Sequence, residues 1–226
     1  MTPAIQPGPE IARPPAVIAQ LQDVSKLYGT FVALRHITLN LHAGRCYVLL
    51  GDNGAGKSTL LRMLAGLLAP TYGTLRIFNQ TPSDARTRIG YMSHAPMLYD
   101  AYSALENLAY YAALYPPVPG LMPEQALALV ALDPTLGRPL AQYSQGMRQR
   151  VSLARVLLSE PALLLLDEPF SNMDRASALQ MLALLDRLRT QGRTIVLTTH
   201  QRELAEPLSD QLLLLHAGRL TVEERA

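Results

Sequence analysis

The apolar and polar positions of this chain follow short-period patterns that predict strands alternating with helices. Two roughly alternating runs, at 17–24 and 31–41, are separated by a turn at 28–30 and predict an antiparallel β pair. An apolar strand at 45–50 is followed by a glycine-rich turn and by a helical repeat over 57–68. The predicted order is therefore strand, phosphate-type loop and helix.

A mainly helical middle separates this region from a second series of strands and helices. Strands at 73–78 and 89–93 precede a block over roughly 95–160, in which prolines separate short helices. The elements expected after it are a strand at 162–167, a helix near 175–190, and strands at 194–199, 211–216 and 219–223. Such alternation predicts a parallel sheet with helices on both faces.

The composition is that of a packed globular protein. The chain has 226 residues, enough for one well-cored domain, which we assign to 17–226. The proline-rich stretch 1–16 offers little to a core and is expected to be a flexible tail. Charged residues make up 17% of the chain, below the roughly 25% usual for soluble domains. A surface that docks on an apolar partner would explain this difference.

The same sequence disfavours several classes of protein. No apolar run reaches the roughly 18 residues of a membrane-spanning helix, and no basic and apolar leader stands at the N-terminus, so the chain is predicted to be neither integral nor exported. The basic residues are scattered and the net charge is only +2, so no nucleic-acid partner is expected. Cys46, the single cysteine, lies in an apolar run and is interpreted as a core residue in a reducing compartment.

A phosphate-binding loop is predicted after the strand at 45–50. Glycines let backbone N–H groups and the following helix N-terminus point at one phosphate chain. Lys57 would neutralise the β and γ phosphates of ATP, and Ser58 would bind Mg²⁺. The residues expected to contact the nucleotide here are Gly51, Asp52, Asn53, Gly54, Ala55, Gly56, Lys57, Ser58 and Thr59. The alternative is a chance glycine-rich turn, which the flanking strand and helix disfavour.

Two carboxylates at the end of the apolar strand 162–167 form a second candidate element. Parallel sheets place their ligand crevice at the carboxyl ends of their strands, so Asp167 is a candidate Mg²⁺ ligand. Glu168 would accept a proton from the attacking water or hold that water in line. Two acids after a strand are more often part of a loop, so the functional interpretation depends on the upstream phosphate loop.

Ser144 and Gly146, at the start of a predicted helix, form the third candidate element. The simple interpretation is that Ser144 caps the helix. A helix that begins with a serine and a glycine is also an anion site, yet no second phosphate loop in this chain supplies the anion. An ATP held by another copy of the protein would supply one.

These motifs, in this order, resemble the nucleotide-binding subunit of ABC transporters across nearly the whole of 17–226. The resemblance implies an α/β fold of the P-loop ABC ATPase type, with a mixed central sheet. It also implies an N-terminal antiparallel β subdomain and an inserted helical subdomain at roughly 95–160. ATP and Mg²⁺ would be bound, and ATP hydrolysis would be coupled to transmembrane transport.

The resemblance assigns roles to residues outside the phosphate loop. Tyr28 would stack on adenine, although it would otherwise be an ordinary turn tyrosine. Ser144 and Gly146 would touch the γ-phosphate bound by a second copy. Gln145 and Met147 replace a glycine and a glutamine of the family's signature, as in exporter ATPases.

Two further segments have assigned roles and a structural alternative each. His200, after the strand 194–199, would hydrogen-bond the γ-phosphate, whereas histidines at strand ends are more often structural donors. The loop 171–174 would contact the second copy of the protein, or would only cap the next helix.

His94 departs from the family pattern, which usually has at this position a glutamine that meets Mg²⁺ or the lytic water. A neutral imidazole nitrogen can donate or accept a hydrogen bond in the same place. The stretches 91–99 and 104–108 resemble the haem exporter ATPases of cytochrome c maturation. We therefore expect haem export, with another exporter of drugs, lipids or ions as the alternative.

The resemblance also implies partners. The chain would form a homodimer in the ATP-bound state and join integral membrane permease subunits at the cytoplasmic face of the membrane. The segment 94–108 is expected to meet the permease through exposed Met97, Leu98 and Tyr99. A non-transport ATPase acting on ribosomes or DNA is less favoured, because the chain has one phosphate loop and a short helical middle. A small-molecule kinase would leave Ser144 and His200 without roles.

Overall fold

The computed structural model describes residues 16–114 and 120–223. The tail predicted at 1–16 therefore lies outside the described residues, apart from Ala16. The strands are β1 Val17–Tyr28, β2 Phe31–His42, β3 Cys46–Leu50, β4 Tyr72–Ile77, β5 Ile89–Met92, β6 Leu163–Asp167, β7 Thr194–Thr199, β8 Gln211–His216 and β9 Arg219–Glu223. The α-helices are α1 Lys57–Leu64, α2 Ala104–Leu114, α3 Pro123–Leu129, α4 Gln145–Leu157, α5 Arg175–Thr190 and α6 Arg202–Ala205.

The first two strands and β4 form an antiparallel sheet of order β2-β1-β4. Strand β1 runs four residues further than its alternating pattern indicated and ends at Tyr28, which pairs with Phe31 across the turn. The alternating apolar positions of these strands are buried together with one face of α1. The N-terminal antiparallel β subdomain expected from the sequence is therefore present.

The central sheet has the order β5-β6-β7-β3-β8-β9. The first five of these strands are parallel, whereas β9 runs antiparallel to β8. Strand β6 is buried on both faces, which explains its unbroken run of leucines. Leu163 and Leu165 pack in the layer that contains α1, and Leu164 and Leu166 pack in the opposite layer with α4 and α5. The expected mixed sheet is confirmed.

The helical block differs in detail from its sequence-based prediction. No helix occupies 95–103, and the first helix of the block, α2, begins only after Ser103. A capping box fixes this start, because Glu106 Oε2 accepts from Ser103 N at 2.8 Å and Ser103 Oγ accepts from Glu106 N at 3.2 Å. Helix α1 ends at Leu64 and not at 68, because Gly66 adopts φ 73° just after the helix.

Candidate functional site

The carboxyl ends of β3, β6 and β7 border a cleft of about 1020 Å³. A ligand crevice at this edge is the usual result of parallel strand order. The predicted site residues that line it are Tyr28, Gly51, Asp52, Asn53, Gly54, Gly56, Lys57, Ser58, Thr59, His94, Asp167, Glu168 and His200. Ala55 is not among them, because its side chain is buried beneath the loop.

The loop between β3 and α1 contains two glycines, Gly51 and Gly56, at which a side chain would clash with neighbouring backbone. A Cβ on Gly51 would lie 2.2 Å from the carbonyl oxygen of Leu215. Gly56 adopts φ 110°, and its Cβ would lie 2.7 Å from the carbonyl oxygen of Ala33. Gly56 is also the N-cap of α1 and provides no side-chain cap. The first N–H groups of α1 therefore lack a side-chain acceptor at the cleft, as an anion site requires.

Lys57 lies across this loop with its ammonium group inside the cleft. Nζ donates to the carbonyl oxygens of Gly51 at 2.6 Å and Asp52 at 3.2 Å. The residue is only 7% exposed, and none of the carboxylates within the described ranges forms an ion pair with it. A buried cation without a counter-ion is costly, so the loop favours a bound anion. The arrangement fits the polyphosphate of a nucleotide.

Asp167 is held by two hydroxyl groups at the end of β6. Its Oδ1 accepts from Ser58 Oγ at 3.2 Å and from Thr198 Oγ1 at 2.8 Å. The Thr198 oxygen in turn accepts from the N–H of Glu168 at 2.9 Å. Thr198 was not predicted from the sequence, and the signal that could have found it is a pair of threonines ending the apolar strand β7. Its hydroxyl fixes both carboxylate residues through two hydrogen bonds.

The Ser58 and Asp167 oxygens fit a magnesium ion. Both are hard oxygen donors, and Mg²⁺ in nucleotide sites uses one or two protein ligands with phosphate and water completing its shell. Across the described residues, no group of three or more histidine, cysteine, aspartate or glutamate side chains is arranged to hold a metal. A metal at this site would therefore depend on phosphate oxygens.

Glu168 and His200 both line the cleft and contact each other there. His200 Nδ1 lies 3.2 Å from Glu168 Oε2, with Glu168 mostly buried and His200 exposed. Glu168 adopts φ 54°, a conformation that non-glycine residues rarely take and that is concentrated at functional sites. The carboxylate is therefore fixed in direction and remains accessible to a water molecule in the cleft.

Two aromatic rings stand at the mouth of the cleft. Tyr28 and Phe31 are both largely exposed and both line it. Lys26 Nζ lies 5.5 Å from the centroid of the Tyr28 ring. Sequence reasoning missed Phe31 because it fits the apolar alternation of β2. Its pairing with Tyr28 across the turn brings both rings to this end of the cleft.

Ser144 and Gly146 are not part of this cleft. Ser144 caps α4, since its Oγ accepts from Met147 N at 3.2 Å, which confirms the capping interpretation. Gly146 packs so closely on α5 that its Cβ would lie 2.7 Å from Ser177 Oγ. Asp174 likewise caps α5 through Ser177 N. Among the described residues of one copy, the cleft that the phosphate loop lines therefore does not include the start of α4.

The segment after β5 carries a cluster of exposed apolar side chains, which we call the aromatic patch. The patch consists of Met97, Tyr99, Tyr102 and Tyr110, and Met97 is 59% exposed. Tyr99 contacts Tyr102 and Tyr110 at ring-centroid distances of 5.8 and 5.2 Å. The prediction that Leu98 is exposed was wrong, because its side chain is partly buried against the core below α2.

The family model described as "ABC transporter" matches residues 34–171, which is more than half of the chain. The chain belongs to the ABC transporter family. In this ABC chain, none of the helices of 16–114 and 120–223 is long and apolar enough to cross a membrane.

Curated relatives of this ABC chain include both export and import proteins. Nod factor export ATP-binding protein I of Cupriavidus metallidurans is 36% identical over 213 residues, covering 91% of this chain and 70% of the relative. Maltose/maltodextrin import ATP-binding protein MalK of Escherichia coli is 38% identical over 209 residues, covering 89% of this chain and 56% of the relative.

Solved ABC cassettes share the fold. A dimeric post-hydrolysis state of the ATP-binding cassette MJ0796 bound to ADP and Pi has a TM-score of 0.82 and 26% identity, covering 92% of this chain and 100% of that one. CbiO1 from Clostridium perfringens, described as part of an ABC transporter complex, has a TM-score of 0.81 and 26% identity, covering 91% and 87%.

Proposed function

We propose that this ABC chain binds and hydrolyses ATP to power export through separate membrane subunits. One observation carries the proposal. The buried ammonium of Lys57, without a carboxylate partner among the described residues, shares a cleft with Asp167 and with the Glu168–His200 pair. The first group favours a phosphate, the second suits a metal, and the third suits activation of water.

The phosphate end of the cleft is organised for binding. The loop N–H groups and Lys57 would bind the β and γ phosphates, and Tyr28 with Phe31 would hold the base. Ser58 and Asp167 would hold Mg²⁺, which neutralises charge on the phosphate oxygens when it is bound. Thr198 keeps the Asp167 carboxylate turned toward Ser58 through its 2.8 Å hydrogen bond.

Glu168 is the group proposed to act on the attacking water. As that water attacks the γ-phosphorus, the bond to the ADP oxygen breaks, and Glu168 orients the water or accepts its proton. His200, 3.2 Å from the carboxylate, restricts its rotation and is placed to hydrogen-bond the γ-phosphate. His94 also lines the cleft. We propose that its imidazole hydrogen-bonds a metal-bound or lytic water there.

A second copy of the chain would complete the site. Ser144 and Gly146 lie at the start of α4 and outside the cleft of their own chain. We propose that they contact the γ-phosphate bound by the other copy, as helix N-termini do with anions. Two copies would then enclose two ATP molecules, close on binding and reopen after hydrolysis. The dimeric form of the MJ0796 cassette supports this proposal.

The aromatic patch is the proposed contact with the membrane partner. Four large side chains exposed together are unusual on a surface that meets only water. This contact would place the protein at the cytoplasmic face of the membrane as a peripheral subunit. Replacing Met97, Tyr99 and Tyr102 with polar residues should abolish membrane association. Unchanged association, with the isolated ATPase intact, would remove this assignment.

Haem is the substrate we propose, for export in cytochrome c maturation. Support comes from His94 and from the segments 91–99 and 104–108, whose sequences resemble those of haem exporter ATPases. The named relatives are an export protein for Nod factor and an import protein for maltose/maltodextrin. The haem proposal therefore depends on the residues of this chain and not on these relatives.

The substrate is tested in the native host with Lys57→Ala, by measuring haem covalently attached to c-type cytochromes. A selective loss, with other haem proteins preserved, is expected. No change in attached haem, with the variant expressed and inactive as an ATPase, would return the substrate to the wider class of ABC exporters.

A further inference from the structure

The segment that carries the aromatic patch is hydrogen-bonded to residues 140–141, which precede α4. Leu140 N donates to the Tyr102 carbonyl oxygen at 2.9 Å, and Ala141 N donates to the Asp100 carbonyl oxygen at 3.0 Å. These two backbone bonds join residues about forty positions apart in the chain. The segment that carries Tyr99 and Tyr102 therefore lies directly against the residues that precede Ser144.

One arginine adds a side-chain connection at the same place. Arg148 Nη2 donates to Asp100 Oδ1 at 2.5 Å, and its Nη1 donates to the Leu140 carbonyl oxygen at 2.9 Å. Arg148 is also in the first turn of α4, where its backbone N–H donates to the Ser144 carbonyl oxygen at 2.9 Å. A single side chain thus links the patch segment, the stretch before the helix and the helix itself.

The Asp100 carboxylate neutralises the positive charge of Arg148 at this link. A cation near the N-terminus of a helix is unfavourable, because the helix dipole already places positive charge there. The Arg148 side chain is only 20% exposed, and Asp100 is its one carboxylate partner within the described ranges. Asp100 itself is 62% exposed and forms no part of the core. Its carboxylate therefore serves chiefly to hold Arg148.

We propose that Asp100 is a positioning residue for the composite ATP site. Through Arg148 it fixes the direction of the N-terminus of α4, and with it Ser144 and Gly146, which act on the nucleotide of the other copy. A permease that presses on the aromatic patch would move the same residues through the same link. The inference rests on the proposed function, since it concerns the site that two copies form.

The test uses Asp100→Asn in a Glu168→Gln protein, in which slow hydrolysis is expected to leave ATP bound. The control is Glu124→Gln, an exposed carboxylate on α3 without an ion pair to the basic side chains of 16–114 and 120–223. Sedimentation velocity gives the dimer dissociation constant in MgATP, and a fluorescent ATP analogue gives binding to the single copy. Thermal unfolding shows that each variant is folded.

Asp100→Asn should weaken the ATP-bound dimer by up to about tenfold, because each of two sites loses at most the roughly threefold that a partly exposed ion pair contributes. Nucleotide binding to the single copy and the Glu124→Gln dimer should not change. The deficit should also shrink between roughly 0.1 and 1 M salt, as the Debye length falls from about 10 to 3 Å. A role in packing alone would not show this salt dependence, and Asp100→Glu should restore part of the loss.

Three results would overturn the inference. These are an Asp100→Asn dimer as tight as the control, a deficit that is independent of salt, and an equal loss of nucleotide binding by the single copy. Failure of the proposed function is recognised separately, because Glu168→Gln without further substitution would then form no dimer in ATP.

Discussion

Thr198→Val removes one hydroxyl group that the structure connects to both carboxylates of the cleft. Thr198 is fully buried, and its oxygen donates to Asp167 at 2.8 Å and accepts from Glu168 N at 2.9 Å. Valine has nearly the same volume, so the change leaves little cavity. It leaves a buried carboxylate with one hydrogen bond fewer and a backbone N–H without its partner.

The cost follows from these two bonds. A hydrogen bond to a charged group contributes about 1.5–3 kcal/mol and a neutral one about 0.5–1.5 kcal/mol. Thr198→Val should therefore lower the free energy of unfolding by about 2–4 kcal/mol. Both carboxylates would lose their fixed positions, and a misplacement of about 1 Å costs on the order of a hundredfold in rate. We expect kcat to fall about 10- to 100-fold, with ATP affinity within about threefold of the original.

Thr194→Val is the matched control. Thr194 lies at the other end of β7, is equally buried, and accepts one neutral hydrogen bond from Gly44 N at 3.0 Å. Thr194→Val should lower the free energy of unfolding by about 0.5–1.5 kcal/mol and leave kcat unchanged. Urea unfolding and phosphate release are the two assays. If Thr198→Val unfolds like Thr194→Val and keeps its kcat, the assigned role of the hydroxyl is wrong.

Three further predictions concern other groups of the molecule. Lys57→Ala should weaken ATP binding about 10- to 100-fold, since a charge-assisted bond to phosphate is lost; equilibrium titration with a fluorescent analogue measures it, and unchanged affinity would contradict the site. Tyr28→Ala and Phe31→Ala should each weaken ATP and GTP alike, by about threefold to tenfold, because stacking does not read the base edge; selective loss of one nucleotide would argue against it. Burial raises the pKa of the Cys46 thiol. The thiol therefore stays protonated in the folded protein at pH values where it ionises in the unfolded chain. The free energy of unfolding is unaffected by this group below the unfolded pKa of about 8.5 and falls as pH rises above that value. Cys46→Ala should flatten the decline in unfolding free energy above about pH 8.5, and an equally steep decline would exclude the thiol as its cause.

Local patterns in the sequence were sufficient for most of the architecture. The alternation of β1 and β2, the leucine run of β6 and the glycine spacing of the phosphate loop each follow from local chemistry. Asp167 and Glu168 could be placed at the cleft because parallel strand order fixes where strand ends meet. Each of these predictions starts from a pattern of residues that are close together in the chain.

Features that depend on distant pairings could not be predicted in the same way. Thr198 bonds to Asp167 across thirty-one positions, and Arg148 to Asp100 across forty-eight. Leu98 was expected at the surface, but an apolar residue in a loop carries no local sign of whether it packs inward. Helix α1 was predicted too long because its apolar repeat continues to Leu68. The helix ends at Leu64, because Gly66 adopts a positive φ.

The central claim is that two copies of this chain form the ATP site together, with Glu168 acting on water. Sedimentation velocity of the Glu168→Gln protein, with and without MgATP, tests it most directly. We predict a monomer without nucleotide, a stable dimer in MgATP, and phosphate release reduced by about 10²- to 10⁴-fold. A protein that stays monomeric in saturating MgATP, or that hydrolyses ATP at the original rate, would contradict the account.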